Sequence, residues 1–218
     1  MVDKDTRMQA VIFDFDGTLA NSFNEVAGFL AGQAGRQLSD FSAAQLKDMH
    51  GLSMKDLALH LGVPAWKLPL VYFRGRRSMH KRMTGVTLFP GIVEVLEALH
   101  KDNYQLLILS SNSARNIKKF LSQHGLSGYF NGVYGSAGWF GKGAALKAVV
   151  KKRRLSPTST VYVGDEVRDV YGAHRAGMPI IAVDWGFASS QALLDRSPTL
   201  LVHTPAQLQK ALLDWGRP

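Results

Sequence analysis

Two aspartates separated by one residue, Asp14 and Asp16, follow a short apolar run near the start of the chain. In extended backbone, residues two positions apart point to the same side, so both carboxylates lie together. Two unit charges about 4 Å apart repel by about 4 kcal/mol at an effective dielectric constant of about 20, so the pair implies a cation, a proton or both. Mg²⁺ is the cation that suits oxygen ligands beside a phosphate.

A simpler interpretation of this pair is that one aspartate caps a turn while the other faces water. The next two residues, Gly17 and Thr18, argue against it, because a glycine permits a tight turn directly out of a strand. We therefore treat the two aspartates as a candidate chemical centre and ask which elements would position them.

The apolar run before Asp14, Ala10–Phe13, is one of four that resemble buried strands. The others span 106–109, 161–163 and 179–183, and are followed by Ser110, by Gly164-Asp165 and by Asp184. Helical patterns separate the runs, which indicates a doubly wound α/β fold, because parallel strands need crossover connections. Ligands bind beyond the carboxyl ends of such strands, so we expect Asp14, Ser110 and Asp165 to meet in one crevice.

Residues 21–85 break the alternation, because they carry helix signals without a convincing strand. We predict an all-helical cap domain at 21–85, inserted into a Rossmann-like core that comprises residues 1–20 and 86–218.

The composition narrows the possible classes of protein. Lys and Arg number 26 against 17 for Asp and Glu, a formal charge of +9, so the surface should attract anions such as phosphorylated metabolites or nucleic acid. The absence of cysteine excludes disulfides, thiolate zinc sites and a cysteine nucleophile. No apolar run approaches the roughly 18 residues of a membrane span, and the N-terminus lacks a signal-peptide pattern. We expect a cytoplasmic protein without a membrane partner.

Four motifs in order give a resemblance to a known family. Asp14-Phe15-Asp16-Gly17-Thr18 resembles the first motif of the haloacid dehalogenase superfamily. Ser110 resembles the second motif and Lys142 the third, and the run Gly164-Asp165-Glu166-Val167-Arg168-Asp169 resembles the acidic fourth. Between Ser110 and Lys142 there is no room for a second cap, so the arrangement is similar to the phosphoglycolate phosphatase-like subgroup with a helical cap.

The resemblance implies a two-step phosphatase mechanism. Asp14 would attack phosphorus to form an aspartyl phosphate, and Asp16 would act as the acid and then as the base. Mg²⁺ would be bound by the Asp14 side chain, the Asp16 main-chain carbonyl and Asp165.

The resemblance also implies which groups would bind the phosphoryl oxygens: Ser110, the Ser111 backbone amide, Asn112 and Lys142. Asp169 would accept a hydrogen bond from a metal-bound water or from Lys142. Glu166 departs from the family pattern, because related phosphatases often carry Ser or Thr there. Whether Glu166 contacts the metal shell or points elsewhere stays open at this point.

The cap should set specificity, because the core contacts only the phosphoryl group. Four cationic cap residues are candidates for binding an acidic leaving group: His50, Lys55, Arg74 and Arg77. For each of them, the alternative is an ordinary exposed side chain.

The function expected from these observations is a magnesium-dependent phosphatase for a small phosphorylated metabolite, with phosphoglycolate as the first substrate to try. The acid at Asp16 argues against the dehalogenase branch, which lacks one there, and against the ion-pumping branch, which has Thr. A phosphosugar mutase remains an alternative. A basic nucleic-acid-binding protein on this fold is another, although the intact acidic set argues against it. The sequence indicates no oligomeric state.

Overall fold

The computed structural model describes residues 10–49, 52, 54–71, 73–75, 85–135 and 141–215. Its strands are β1 (Ala10–Phe13), β2 (Ala20–Asn21), β3 (Thr87–Leu88), β4 (Gln105–Leu109), β5 (Gly132–Tyr134), β6 (Thr160–Gly164), β7 (Ile180–Val183) and β8 (Leu200–Val202). Its α-helices include α1 (Phe23–Gln33), α2 (Ala43–Met49), α3 (Met54–His60), α4 (Ile92–Lys101), α5 (Ala114–Gln123), α6 (Lys142–Arg153), α7 (Val167–Ala176), α8 (Ser190–Leu194) and α9 (Pro205–Asp214).

Six strands form one parallel sheet in the order β5-β4-β1-β6-β7-β8. β1 lies between β4 and β6, and the pairs Phe13↔Ile108 and Phe13↔Val163 fix its register. All four residues of β1 are buried, as expected for a strand that is covered on both faces. The predicted doubly wound α/β fold is therefore confirmed.

Successive side chains of β1 point to opposite faces of the sheet and enter two separate cores. Val11 and Phe13 pack in the core beneath α4, α5 and α9, whereas Ile12 packs in the core beneath α6, α7 and α8. Complete burial of each such side chain contributes about 1.5–3 kcal/mol. The two cores hold β1 rigidly, and β1 ends at Asp14.

The helical insertion leaves and rejoins the core at one place. β2 and β3 form an antiparallel pair in which Ala20 lies opposite Leu88 and Asn21 opposite Thr87. The helices α1 to α3 lie between these two strands in the chain, together with further helical residues at 68–71 and 73–75. The predicted limits of the cap, 21 and 85, fall beside this two-stranded ribbon.

Two elements late in the chain, the strand β8 and the helix α8, have no counterpart among the sequence predictions. The edge strand β8 has only three residues, and Leu200 within it is exposed, so no apolar alternation marks it. The five-residue helix α8 is too short for a periodic pattern. Among the described residues, each helix is too short or too polar to span a lipid bilayer.

Candidate active site

Four buried polar residues meet at the carboxyl edge of the sheet. Asp14 follows β1, Ser110 follows β4 and Asp165 follows β6, while Lys142 begins α6. None of the four is more than 7% exposed. β1, β4 and β6 are parallel neighbours, so their ends coincide and the expected convergence occurs.

The turn after β1 brings the first motif against the fourth. Gly17 has a φ of 78°, in the left-handed region that favours glycine. A Cβ at Gly17 would overlap the Asp165 carboxylate. Thr18 Oγ1 donates a 2.8 Å hydrogen bond to Asp165 Oδ1, and the Phe187 amide donates a 2.8 Å bond to Asp165 Oδ2. The Asp165 carboxylate is thus fixed from two sides.

Lys142 links the two acidic motifs. Its Nζ lies 2.5 Å from Asp14 Oδ2 and also donates to Asp169 Oδ1. Burial lowers the pKa of Lys142, but the Asp14 and Asp169 carboxylates outweigh it, so the pKa lies above its ordinary value. The other oxygen of Asp14 accepts a 2.7 Å bond from the Phe15 amide. Lys142 is therefore a fixed cation beside Asp14.

Asp169 organises the loop that carries Asp165. Its Oδ2 accepts hydrogen bonds from the backbone amides of Asp165, at 3.1 Å, and Glu166, at 3.0 Å, and the second of these belongs to the capping box of α7. Its Oδ1 faces Lys142 and the Tyr162 hydroxyl. One buried carboxylate thus positions both the fourth motif and the lysine.

Asp16 is held by an asparagine pair. Asn112 Nδ2 donates a 3.1 Å hydrogen bond to Asp16 Oδ2, and Asn116 Nδ2 donates a 3.1 Å bond to Asn112 Oδ1. Burial first, and the Asp14 charge second, raise the pKa of Asp16 to about 6, although the Ser22 and Asn112 side chains lower it. A carboxyl group with that pKa can both give and take a proton near neutral pH. The sequence reasoning missed Asn116.

Three carboxylates form a group that could hold a metal ion. Ligand oxygens of Asp14, Asp165 and Asp169 lie within 4.8 Å of one another, and all three residues are buried. Burial, followed by the neighbouring Glu166 and Asp169 carboxylates, raises the pKa of Asp165 well above its ordinary value. An all-oxygen, negatively charged donor set fits Mg²⁺. The Asp16 side chain lies outside this group.

The remaining second-motif residues lie beside Asp16. Ser110 Oγ accepts a 3.1 Å hydrogen bond from the backbone amide of Asn112. Ser111 lines the cavity described below. Ser113 caps α5 by accepting a bond from the Asn116 amide, so the turn between β4 and α5 is closed by its own polar side chains.

Glu166 forms an ion pair with a residue that the sequence analysis did not consider as its partner. Its Oε1 accepts a hydrogen bond from Arg168 Nη2, and both residues line the cavity. Burial raises the pKa of Glu166 while the Arg168 charge opposes that rise. The unusual glutamate of the fourth motif is therefore one half of an ion pair. The available signal was the Glu-Val-Arg spacing within the motif.

A cavity of about 110 Å³ lies between the core edge and the helical insertion. The insertion contributes apolar side chains and a glycine, namely Val26, Phe29, Leu30, Met54, Ala58, Leu68, Val71 and Gly75. The core contributes polar side chains: Asp16, Ser111, Asn112, Glu166 and Arg168.

Two of the four predicted cap cations lie within the described residues. Lys55 and Arg74 are exposed and are not among the residues that line this cavity. His50 and Arg77 lie outside the described residues.

Comparisons with known proteins identify the family of this chain. A family model described as haloacid dehalogenase-like hydrolase matches residues 11–183. The chain is 34% identical over 209 residues to a phosphoglycolate phosphatase of Synechococcus elongatus, covering 94% of this chain and 97% of that protein. It is 25% identical over 228 residues to a phosphoglycolate phosphatase of Vibrio vulnificus, covering 94% and 96%.

Solved structures show the same fold. A haloacid dehalogenase-like hydrolase from Streptococcus pneumoniae superposes with a TM-score of 0.75 at 23% identity, covering 93% of this chain and 97% of that one. A predicted phosphatase from Clostridium acetobutylicum superposes with a TM-score of 0.78 at 21% identity, covering 95% and 99%. The family model and the Synechococcus relative place this chain in the haloacid dehalogenase-like hydrolase family, as an enzyme of the phosphatase type.

Proposed function

We propose that the chain hydrolyses a small phosphate monoester with Asp14 as the nucleophile and Mg²⁺ as the cofactor. The observation that carries the proposal is the position of Asp14: its carboxylate contacts Lys142 and lies in one buried cluster with Asp165. Asp16, two residues away, has a pKa of about 6. A nucleophile, a fixed cation and a proton carrier thus share one edge of the sheet.

Asp14, Asp165 and the main-chain carbonyl of Asp16 would hold the Mg²⁺. When bound, the ion supplies positive charge that lets an anionic carboxylate approach an anionic phosphate. The oxygens of Asp169 already accept bonds from Lys142 and from two backbone amides, so we assign Asp169 to positioning rather than to direct ligation.

In the first step, a carboxylate oxygen of Asp14 attacks phosphorus and the ester P–O bond breaks. Protonated Asp16 gives its proton to the departing oxygen, which leaves as an alcohol. Lys142 and the polar groups at Ser110, Ser111 and Asn112 stabilise the charge on the phosphoryl oxygens. The product of this step is an aspartyl phosphate on Asp14.

In the second step, Asp16 takes a proton from water as that water attacks phosphorus. The bond between phosphorus and Asp14 breaks, which releases inorganic phosphate and restores both aspartates to their starting states. The raised pKa of Asp16 suits both directions of proton transfer.

The leaving group of the substrate would occupy the cavity that Asp16 lines. Several relatives, including those of Synechococcus and Vibrio, are phosphoglycolate phosphatases. We therefore take 2-phosphoglycolate as the first substrate to test.

The test is to capture the covalent intermediate. In Asp16→Asn, p-nitrophenyl phosphate should still phosphorylate Asp14, since p-nitrophenolate needs no acid, but hydrolysis should be slow. Mass spectrometry after an acid quench should find one added phosphoryl group on the peptide that contains Asp14, only when Mg²⁺ is present. Asp14→Asn is the control and should gain none. Wild-type protein that shows no magnesium-dependent release of phosphate from any phosphate monoester would reject the proposal.

A further inference from the structure

We propose that Arg168 is the residue that recognises the leaving group, by binding the carboxylate of a short phosphorylated acid, and that Glu166 positions it. This inference rests on the proposed function and deepens it. It assigns specificity to the core motif that also carries Asp165, rather than to the cations of the helical insertion.

The first argument is how Arg168 is held. Glu166 and Arg168 have side-chain exposures of only 7% and 21%, so their ion pair is shielded from water. The glutamate accepts from one terminal nitrogen of the guanidinium. Glu166 is also the N-cap residue of α7, and its backbone amide is fixed by Asp169. The pair is thus anchored to the rigid part of the site, which limits the directions that the guanidinium can take.

The second argument is an unsatisfied donor. A guanidinium carries five N–H donors in a planar fork. Arg168 Nε is buried and has no hydrogen-bond partner among the described residues. The fork is therefore incompletely paired, and the part of the side chain that stays exposed lies on the cavity wall, so the guanidinium can still donate to a further acceptor. Carboxylates match the fork of arginine in shape and charge.

The third argument is the distribution of charge around the cavity. The residues that the described part of the helical insertion contributes to the cavity wall carry no charge. Among the described lining residues, Asp16 and Glu166 are acidic and Arg168 is the one cation. Lys142 does not line the cavity, because its ammonium faces Asp14 and Asp169. A negatively charged leaving group that enters this space would therefore find its counter-charge at Arg168.

The fourth argument is position. Arg168 and Asp16 line the same cavity, so a carboxylate bound by Arg168 would lie near the reacting phosphate. The guanidinium therefore lies on the side of the site where Asp16 would protonate the departing oxygen. These positions together describe a short phosphorylated carboxylic acid.

The experiment compares two substrates that differ in the carboxylate, 2-phosphoglycolate and ethyl phosphate, in the presence of Mg²⁺. Wild-type protein should prefer 2-phosphoglycolate in kcat/KM. In Arg168→Gln, kcat/KM for 2-phosphoglycolate should fall about 10- to 100-fold more than kcat/KM for ethyl phosphate, the range for a lost hydrogen bond to a charged group. Arg168→Lys keeps the charge but loses the fork. Its preference for 2-phosphoglycolate in kcat/KM should therefore lie between that of wild type and that of Arg168→Gln.

The matched control is Arg175→Gln, which removes the same charge from the exposed side of the same helix and should leave the preference unchanged. Equal losses on both substrates in Arg168→Gln would mean that Arg168 acts on the phosphoryl group, and no loss would mean that it binds no leaving group. Either result overturns the proposal, as does a wild-type protein without a preference for 2-phosphoglycolate.

A binding measurement separates this inference from the proposed function. Phosphonoacetate and ethylphosphonate, which are not hydrolysed, are titrated into wild type, Arg168→Gln and Arg175→Gln by calorimetry with Mg²⁺. Wild type and Arg175→Gln should prefer phosphonoacetate, and Arg168→Gln should lose that preference. If wild type hydrolyses no phosphate monoester, the proposed function fails, and the binding preference still decides the role of Arg168. Equal binding of both phosphonates by wild type would overturn the inference alone.

Discussion

Lys142 and Asp14 are separated by 128 positions in the chain, yet the lysine ammonium lies 2.5 Å from the aspartate carboxylate, and both side chains are buried. The same ammonium contacts Asp169, so one lysine serves two acids. An ion pair buried in this way holds the proposed nucleophile in place, and the Lys142 charge opposes the rise that burial causes in the pKa of Asp14.

Lys142→Met should therefore damage activity and stability together. Loss of one fixed charge at a phosphoryl centre typically lowers kcat by two to three orders of magnitude. Removing one partner of a buried pair typically lowers the free energy of unfolding by about 3–5 kcal/mol. Steady-state kinetics and urea unfolding measure the two effects. Lys147→Met, at an exposed position of the same helix, should change neither.

Gly17→Ala should disturb Asp165 as well as the backbone. Placing an L-residue in the left-handed region costs roughly 1–2 kcal/mol wherever it occurs. At Gly17 the added Cβ would also overlap the Asp165 carboxylate, whereas at Gly125, with a φ of 70°, it would meet nothing within 4 Å. Urea unfolding should thus show a larger loss for Gly17→Ala than for Gly125→Ala. Equal losses would show that the close approach is unimportant.

Magnesium should stabilise the protein through Asp165. A ligand at about 100 times its dissociation constant adds about 2.7 kcal/mol to the free energy of unfolding. Thermal unfolding with saturating Mg²⁺ should show this increase in wild type and not in Asp165→Asn. Asp195→Asn, which alters an exposed acid, is the control and should respond like wild type. A full response of Asp165→Asn would remove Asp165 from the proposed ligands.

The pKa of Asp16 predicts that, in the metal-free protein, this group contributes less to the free energy of unfolding as the pH rises. Its folded pKa of about 6 lies above the ordinary value of 3.8, so between these two values the folded state binds more protons than the unfolded state. The free energy of unfolding contributed by this group should fall as pH rises from about 4 to about 6. Urea unfolding in a chelator should show wild type losing stability relative to Asp16→Asn across that range. Parallel pH profiles would contradict the shift.

Asn116→Ala should change the pKa of Asp16 through Asn112. Asn116 donates to Asn112, whose amide donates to Asp16 and lowers the pKa of that carboxyl group. Loss of this support should raise the pKa of Asp16, which carbon NMR of the carboxyl group can follow by titration. Lys118→Ala, on the exposed side of the same helix, should leave that titration unchanged.

The sheet and the edge that carries the candidate site could be predicted from the sequence because both follow from local patterns. A buried parallel strand is a short apolar run, and the residue after it must lie at the edge, which locates Asp14, Ser110 and Asp165 without coordinates. The strand β8 and the support of Asn112 by Asn116 could not be predicted in this way. The first has too few residues for a pattern, and the second depends on how one turn of α5 meets Asp16.

The partner of Glu166 was also beyond the sequence reasoning. Two residues apart at the start of a helix, a glutamate and an arginine can face each other or diverge, and only the packing around α7 decides between these outcomes. Among the cap cations, Lys55 and Arg74 are exposed and do not line the cavity, because charge alone does not indicate which side chains form a cavity wall.

The central place of β1 has a consequence for the synthesis of the protein. Both neighbours of Phe13 in the sheet lie far along the chain, at Ile108 and Val163. At about 5–20 residues per second, the ribosome needs roughly seven to thirty seconds between making β1 and making β6. Throughout that interval the apolar run Ala10–Phe13 lacks at least one of its two partners, so the nascent chain exposes this hydrophobic segment and should engage chaperones early in translation.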